Sequence, residues 1–322
     1  MPGAAAVDRP AGGLPDLNAL SLAELWRELC PAEPLRRLLE LARDEDLGPG
    51  GTRGDVTSRS IPSLDRPVVA RIVAREAGVA AGLPVVGAAC EVLAGAGTIE
   101  VREAVADGDP IEPGTVLAEL RGTHARVLEA ERTVLNLLGR ACAVATSARR
   151  FVDAVRGTGA VICETRKTTP GLRGLEKYAA RCGGVHLHRV GLHDAALYKD
   201  NHLAGLSAGP LDETLRPVLE TLRRDRPDLR FVEVEVDTHA QLDEVLRLDD
   251  ALVDIVLLDN MPPATMAEAV GKRDAARPRW RLEASGGITL ETVRAAADAG
   301  VDRISVGAIT HSSGWLDLGL DV

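Results

Sequence analysis

From residue 160 onward, short β-branched runs alternate with longer stretches of helical periodicity. No other feature limits the fold of this chain as much. The strand-like runs are VICE (161–164), RFVEVEV (230–236), DIVLLD (254–259), RLEAS (281–285) and RISVG (303–307). The ALYKDNH stretch predicts another strand ending near Lys199. Between them, helices are expected around 174–182, 211–224, 239–248, 263–275 and 289–299. Alternation of this kind calls for a parallel sheet with helices outside, as a barrel or an open sheet. Glu164, Lys199, Glu235, Asp259, Ser285 and Gly307 each close one of the expected strands. In a barrel those ends share the face that carries the chemistry. An open sheet also gathers polar groups at its carboxyl edge, but no G-x-G-x-x-G follows a first strand here.

The earlier part of the chain reads differently. Runs at 68–74, 78–82, 98–104 and 115–122 read as strands, with one helix over 84–94, an α+β pattern. A proline-free stretch, 124–156, reads as two helices and holds the domain boundary. The first 30 residues, rich in Ala, Gly and Pro near the start, suggest a flexible extension without the basic-then-apolar pattern of a secretory signal. No apolar run approaches the roughly 18 residues of a membrane span. Hydrophobic residues make up 45% but aromatics only 2%, so the core must be aliphatic and platforms for stacking bases are few. With a net charge of -10, a nucleic-acid surface is not expected. Cys30, Cys90, Cys142, Cys163 and Cys182 are odd in number and never form C-x-x-C, which fits reduced, mostly buried cytosolic thiols. His186 and His188 lack partners at zinc-motif spacing.

Against that acidic background, residues 163–202 concentrate seven Lys or Arg and only four acids. A charge run is most often a solvated helical face. Here, however, His188-Arg189 and Lys199-Asp200-Asn201-His202 are interspersed with glycines and not laid out at helical spacing, so a small, multiply anionic ligand is expected. Arg166 offers a planar fork for carboxylate or phosphate and Lys167 a compact charge. The glycine loops SGGI (285–288) and SVGAITHS (305–312) close the last two strands, where backbone N–H groups can approach phosphate. Glu235 and Asp259 could accept ribose hydroxyls, hold Mg²⁺ or stabilise a developing cation. Glu233 lies two residues before Glu235, so alternation puts both on one face and leaves the choice open. Lys199 at a strand end also suits a Schiff-base lysine. Arg132 lies on an otherwise apolar helix and carries no weight alone.

Taken in order, AERTVLNLLGR, ETRKTTPGLRGLEKYAARCGG, HRVGLHDAALYKDNH, VEVEVD, LLDNM, EASGGI and SVGAITHS closely resemble the quinolinate phosphoribosyltransferase family over roughly residues 40–312. The resemblance implies an α/β protein: an N-terminal α/β sandwich domain (31–140) and an incomplete α/β, TIM-like barrel (141–312), with 1–30 an extension and 313–322 a tail. It implies a cytoplasmic homodimer, with no membrane or nucleic-acid partner, that joins quinolinate to 5-phosphoribosyl 1-pyrophosphate with Mg²⁺ and no organic cofactor. The products would be nicotinate mononucleotide, pyrophosphate and CO₂, in de novo NAD synthesis. By the same resemblance Arg132, Arg166, His188, Arg189 and Lys199 surround the quinolinate carboxylates, with Arg132 reaching the partner's site. Lys167, Glu235 and Asp259 bind the sugar-pyrophosphate and its metal, and Ser285, Gly286, Gly287 and Gly307 hold the 5-phosphate. Lys167, Lys199, Glu235 and Asp259 are the expected catalytic set. The chain departs from the family pattern in a longer 45–58 segment, in Val185 and His186 within GGVHLHR, and in CAVAT at 142–146. Three other readings compete: a paralogue acting on another anion, a Schiff-base aldolase using Lys199, and a non-catalytic metabolite-binding protein.

Overall fold

The computed structural model describes residues 14–206 and 209–322. The expected extension falls partly outside the described residues, at 1–13; within it, Leu22–Leu29 is a helix. The chain forms two compact units, each assembled from separated segments. One gathers Leu20–Asp153, Lys167–His186 and Gly307–Val322; the other gathers Ala154–Arg166, Leu187–Val306 and, of the described residues before Leu20, 14–19. The elements, in chain order, are α1 (Leu22–Leu29), α2 (Ala32–Leu47), α3 (Val56–Arg59), β1 (Pro67–Ala74), β2 (Gly78–Val79), α4 (Pro84–Ala94), β3 (Ile99–Glu103), β4 (Pro110–Ile111), β5 (Val116–Thr123) and α5 (His124–Ala154). There follow β6 (Val161–Cys163), α6 (Arg173–Cys182), β7 (Ala196–Tyr198), α7 (Asp200–Leu203), α8 (Leu211–Asp225), β8 (Val232–Val236), α9 (His239–Val245), β9 (Ile255–Asp259), α10 (Pro263–Ala276), β10 (Arg281–Ser285), α11 (Val293–Asp298), β11 (Arg303–Ser305), α12 (Ala308–His311) and β12 (Leu318–Asp321).

In the first unit, an antiparallel sheet ordered β12-β1-β5-β3 stands over α4 and α5. Ile72, Leu83, Val86, Leu117 and Leu138 are essentially sealed from solvent in one aliphatic core. Each such side chain contributes roughly 1.5–3 kcal/mol by burial. Helix α1 starts with a capping box: Ser21 Oγ accepts the Glu24 N–H and the Glu24 carboxylate accepts the Ser21 N–H. The long 45–58 segment closes on itself, since the Arg53 and Gly54 N–H groups both donate to the Leu47 carbonyl at 3.0 Å and Asp55 caps α3.

Two expectations change here. The stretch read as two helices is one helix, α5. It has no proline, and the one internal glycine has a packing reason. A Cβ at Gly139 would stand 2.9 Å from the Leu316 carbonyl oxygen, while the Leu316 N–H donates to the Gly139 carbonyl at 3.0 Å. The glycine admits a crossing chain and does not break the helix. Residues 313–322, expected as a tail, instead supply β12, which pairs antiparallel with β1 from Arg71↔Asp321 to Ala74↔Leu318.

The second unit holds a six-stranded parallel sheet ordered β6-β11-β10-β9-β8-β7. This order is cyclic: the last barrel strand pairs with the first, and among the described residues only the β6–β7 junction lacks ladder pairing. A doubly wound sheet would reverse direction at an internal strand; this one curls into an incomplete barrel. All five residues of β8 and four of five in β9 are buried, as in a parallel sheet covered on both faces.

Candidate functional site

Within the barrel unit, the interior is charged. Glu283 on β10 and Arg303 on β11 are cross-strand partners, with Arg303 Nε 2.6 Å from Glu283 Oε2. Glu283 also accepts a short hydrogen bond from Ser305 Oγ. His188 completes the chain, its Nε2 lying 3.1 Å from Glu233 and 3.2 Å from Glu283. The His188 backbone N–H donates to Glu164 Oε1 at 2.9 Å. All of these side chains are buried.

Burial opposes charge on His188, but Glu283 and Glu233 outweigh it and raise its pKa to about 9. Burial raises Glu233, with Glu283 acting in the same direction, whereas His188 and Arg303 hold Glu283 well below the usual carboxylate range against its own burial. The Arg189 backbone N–H lies 2.9 Å from His188 Nδ1. His188, Glu233 and Glu283 present ligand-type atoms within 4.8 Å of one another, although Arg303 already supplies a countercharge there.

Nearer the carboxyl ends of the strands, Arg189 is buried and Arg166 is partly buried. Burial lowers the pKa of Arg189, and the neighbouring Arg166 charge lowers it further. Lys199 Nζ stands 3.0 Å from Glu235 Oε2. Glu233 and Glu235 thus both face inward at successive depths, the first meeting His188 and the second Lys199. One strand further, Asp259 Oδ2 accepts from Asn260 Nδ2 at 2.5 Å. Asn260 has a left-handed backbone (φ 53°), and its N–H donates to the Ser285 carbonyl at 2.9 Å. A Cβ at Gly286 would lie 2.1 Å from Asn260 Oδ1. Gly286 and Gly287 both have positive φ, so this turn after Ser285 requires glycine.

The remaining expected residues belong to the other unit. Lys167 and Gly307 are adjacent there: a Cβ on Gly307 would meet Lys167 Cδ at 3.0 Å. Thr310 Oγ1 donates to the Lys167 carbonyl at 2.8 Å. Arg132 is exposed on α5, 3.6 Å from Glu131. In the barrel unit the structure gathers Arg166, His188, Arg189, Lys199, Glu235, Asp259, Ser285, Gly286 and Gly287.

Sequence reasoning missed Glu283, Arg303, Asn260 and the buried pair Arg140–Glu176. One signal was available. Parallel strands are near-continuous apolar runs, so a charge inside RLEAS or RISVG marks an interior polar layer. The expected burial of the thiols is found among the described residues: all five cysteines are free and buried. Burial pushes the Cys30, Cys90 and Cys142 thiols up to about 12.

Known proteins resemble this chain throughout. Residues 144–321 match the C-terminal domain, and 55–142 the N-terminal domain, of quinolinate phosphoribosyl transferase. A nicotinate-nucleotide pyrophosphorylase [carboxylating] from Mycobacterium leprae is 41% identical over 293 residues, covering 91% of this chain and 99% of that one. A probable enzyme of the same name from Bacillus subtilis is 38% identical over 291 residues, 89% of this chain and 93% of its own. The solved nicotinate-nucleotide pyrophosphorylase of Francisella tularensis superposes with a TM-score of 0.77 at 30% identity, covering 90% of this chain and 96% of that one. With both family domains matched in order across most of its length, this chain belongs to the quinolinate phosphoribosyltransferase family.

Proposed function

We propose that this chain transfers the phosphoribosyl group of 5-phosphoribosyl 1-pyrophosphate to quinolinate with loss of CO₂, giving nicotinate mononucleotide and pyrophosphate. The observation that carries the reading is a set of cations in the barrel unit: Arg166 just after β6, the buried Arg189 with Nη1 3.4 Å from the Ala195 carbonyl, and Lys199 just after β7 with Nζ 3.0 Å from Glu235. Quinolinate is a dianion, and a fixed cation cluster both binds and orients it. In this reading Arg166, His188, Arg189 and Lys199 bind the two carboxylates. Arg132, exposed on α5, reaches the quinolinate of a second copy in a homodimer. Lys199 Nζ lies 3.0 Å from Glu235 Oε2, a polar contact that keeps it beside the groups assigned to the substrates.

Lys167, Glu235 and Asp259 bind the sugar-pyrophosphate, and Ser285, Gly286, Gly287 and Gly307 hold the 5-phosphate. Glu235 and Asp259 come from adjacent strands and offer hard oxygen donors. Two carboxylates completed by substrate phosphates suit Mg²⁺, which keeps part of its shell as water or phosphate oxygen. When bound, the ion would neutralise charge on the departing pyrophosphate. Departure of pyrophosphate leaves an oxocarbenium-like ribose that the same carboxylates stabilise electrostatically. After transfer the ring nitrogen is cationic and stabilises the C2 carbanion left when the 2-carboxylate departs as CO₂; C2 then takes a proton from water, so no protein nucleophile is needed. Among the described residues no helix is long and apolar enough to cross a membrane. The buried free thiols fit a reducing compartment, and the reading places the enzyme in the cytoplasm.

The test is a discontinuous assay with quinolinate, 5-phosphoribosyl 1-pyrophosphate and Mg²⁺, following nicotinate mononucleotide by chromatography, with nicotinate as the parallel substrate. Product from quinolinate alone is expected. No product from a folded dimer would mean the scaffold serves a different anion.

A further inference from the structure

Two charged residues inside the family-like motifs have no part in the roles assigned so far. Arg140 closes AERTVLNLLGR on α5, and Glu176 lies in GLRGLEKYAARCGG on α6. The structure seals both from solvent, with Arg140 6% exposed and Glu176 0%. Arg140 Nε and Nη2 both donate to Glu176 Oε1, at 2.9 and 2.8 Å. The rest of the guanidinium serves mainly main-chain oxygens: Nη2 donates to the Thr310 carbonyl, and Nη1 donates to the carbonyls of Ser313 and, at 3.2 Å, Gly314, and to the Ser313 hydroxyl at 3.1 Å. Glu176 in turn accepts the Thr169 N–H at 3.0 Å and the Thr169 hydroxyl at 2.8 Å.

Both targets are irregular chain. Residues 164–169 and 313–317 have no helix or strand ladder of their own, so their backbone groups need partners from elsewhere. The first segment carries Lys167 and the second leads away from Gly307. Thr310 ties them together, its hydroxyl donating to the Lys167 carbonyl while its N–H donates to the Gly307 carbonyl at 3.1 Å. Every contact named lies within one compact unit. A buried ion pair is often replaceable by apolar groups at no cost in stability. What apolar groups cannot replace is a planar fork that binds one carboxylate and three carbonyls in fixed directions.

We propose that Arg140 and Glu176 are positioning residues that set where Lys167 and Gly307 stand, and so govern affinity for the sugar-phosphate substrate and not for the pyridine dicarboxylate. This rests on the reading that Lys167 and Gly307 bind 5-phosphoribosyl 1-pyrophosphate. A displacement of about 1 Å in a positioned group can cost on the order of 100-fold.

The experiment compares KM for 5-phosphoribosyl 1-pyrophosphate with KM for quinolinate in the full-length enzyme. The variants are R140K, the double variant R140M/E176Q, and the milder T310V, each checked for folding by circular dichroism. A KM for the sugar phosphate raised at least tenfold in R140K and in the double variant, and severalfold in T310V, with KM for quinolinate within twofold, is the expected result. R140K is decisive because it keeps the charge and loses the fork; a role that needed only a cation would be rescued by lysine. If the Arg140 variants do not fold, T310V decides alone. Equal changes in both KM values, or none, overturn the proposal. K167A separates the two levels: if it leaves KM for the sugar phosphate unchanged, the underlying assignment fails. If it raises that KM while folded Arg140 and Thr310 variants do not, only the positioning role fails.

Discussion

Replacing Arg303 by methionine should cost the folded protein about 3–5 kcal/mol, the range for removing one partner of a buried ion pair. Arg303 is 5% exposed and Glu283 is 0% exposed, and their closest atoms are 2.6 Å apart. Two unit charges separated by about 4 Å at an effective dielectric near 20 interact by about 4 kcal/mol, so the Coulomb figure agrees with that range. In the variant the Glu283 carboxylate keeps only Ser305 and His188, in an interior that also holds Glu164 and Glu233. Against a typical stability of about 5–15 kcal/mol, the loss should move the unfolding midpoint far to lower denaturant. Urea unfolding of R303M, E283Q and the double variant forms a thermodynamic cycle. Each single change should destabilise, and the double should cost less than their sum by at least about 2 kcal/mol, because removing both charges leaves neither unpaired. Additivity within about 0.5 kcal/mol would refute the reasoning and mean that packing alone holds this layer.

Other outcomes follow from the same geometry. R166A should lower kcat/KM by about 100-fold or more, equivalent to about 3 kcal/mol, with unchanged circular dichroism; near-normal turnover would remove its carboxylate-binding role. The folded-state pKa of His188 is raised from 6.5 to about 9, so the stability from its contacts with Glu283 and Glu233 is fully present below pH 6.5 and lost as pH rises through about 9. Urea unfolding from pH 6 to 10 should show that loss, and H188Q should flatten it. G139A should gain about 1 kcal/mol of helix propensity but lose about 1–3 kcal/mol to overpacking against the Leu316 carbonyl. Hydrogen exchange at residues 316–321 should quicken, and unchanged protection there would contradict the close approach. Chelation with EDTA should stop product formation and added Mg²⁺ restore it; full activity in chelator would remove the metal role given to Glu235 and Asp259.

Much of this architecture is local and therefore legible in the chain. Period-two alternation put Glu233 and Glu235 on one face, and the structure finds both pointing inward. The expected helix over 84–94 coincides with α4, because an apolar run between glycines leaves little choice. Strand-helix alternation named the barrel strands within a few residues, and the glycines at 286 and 287 announced a turn that only glycine can make. Which partner each inward residue meets was not legible. His188, Glu233, Glu283 and Arg303 come from segments more than a hundred residues apart end to end, and ring closure of the sheet brings them into one layer. The same holds for β12, which reads as a short C-terminal tail until the edge of β1 offers it a ladder. It also holds for Arg140, whose five donors acquire meaning only when α6 and the chain after Thr310 arrive around it. Periodicity encodes which side of an element is buried; the identity of the neighbour across the gap is settled by long-range packing, which no single stretch of sequence contains.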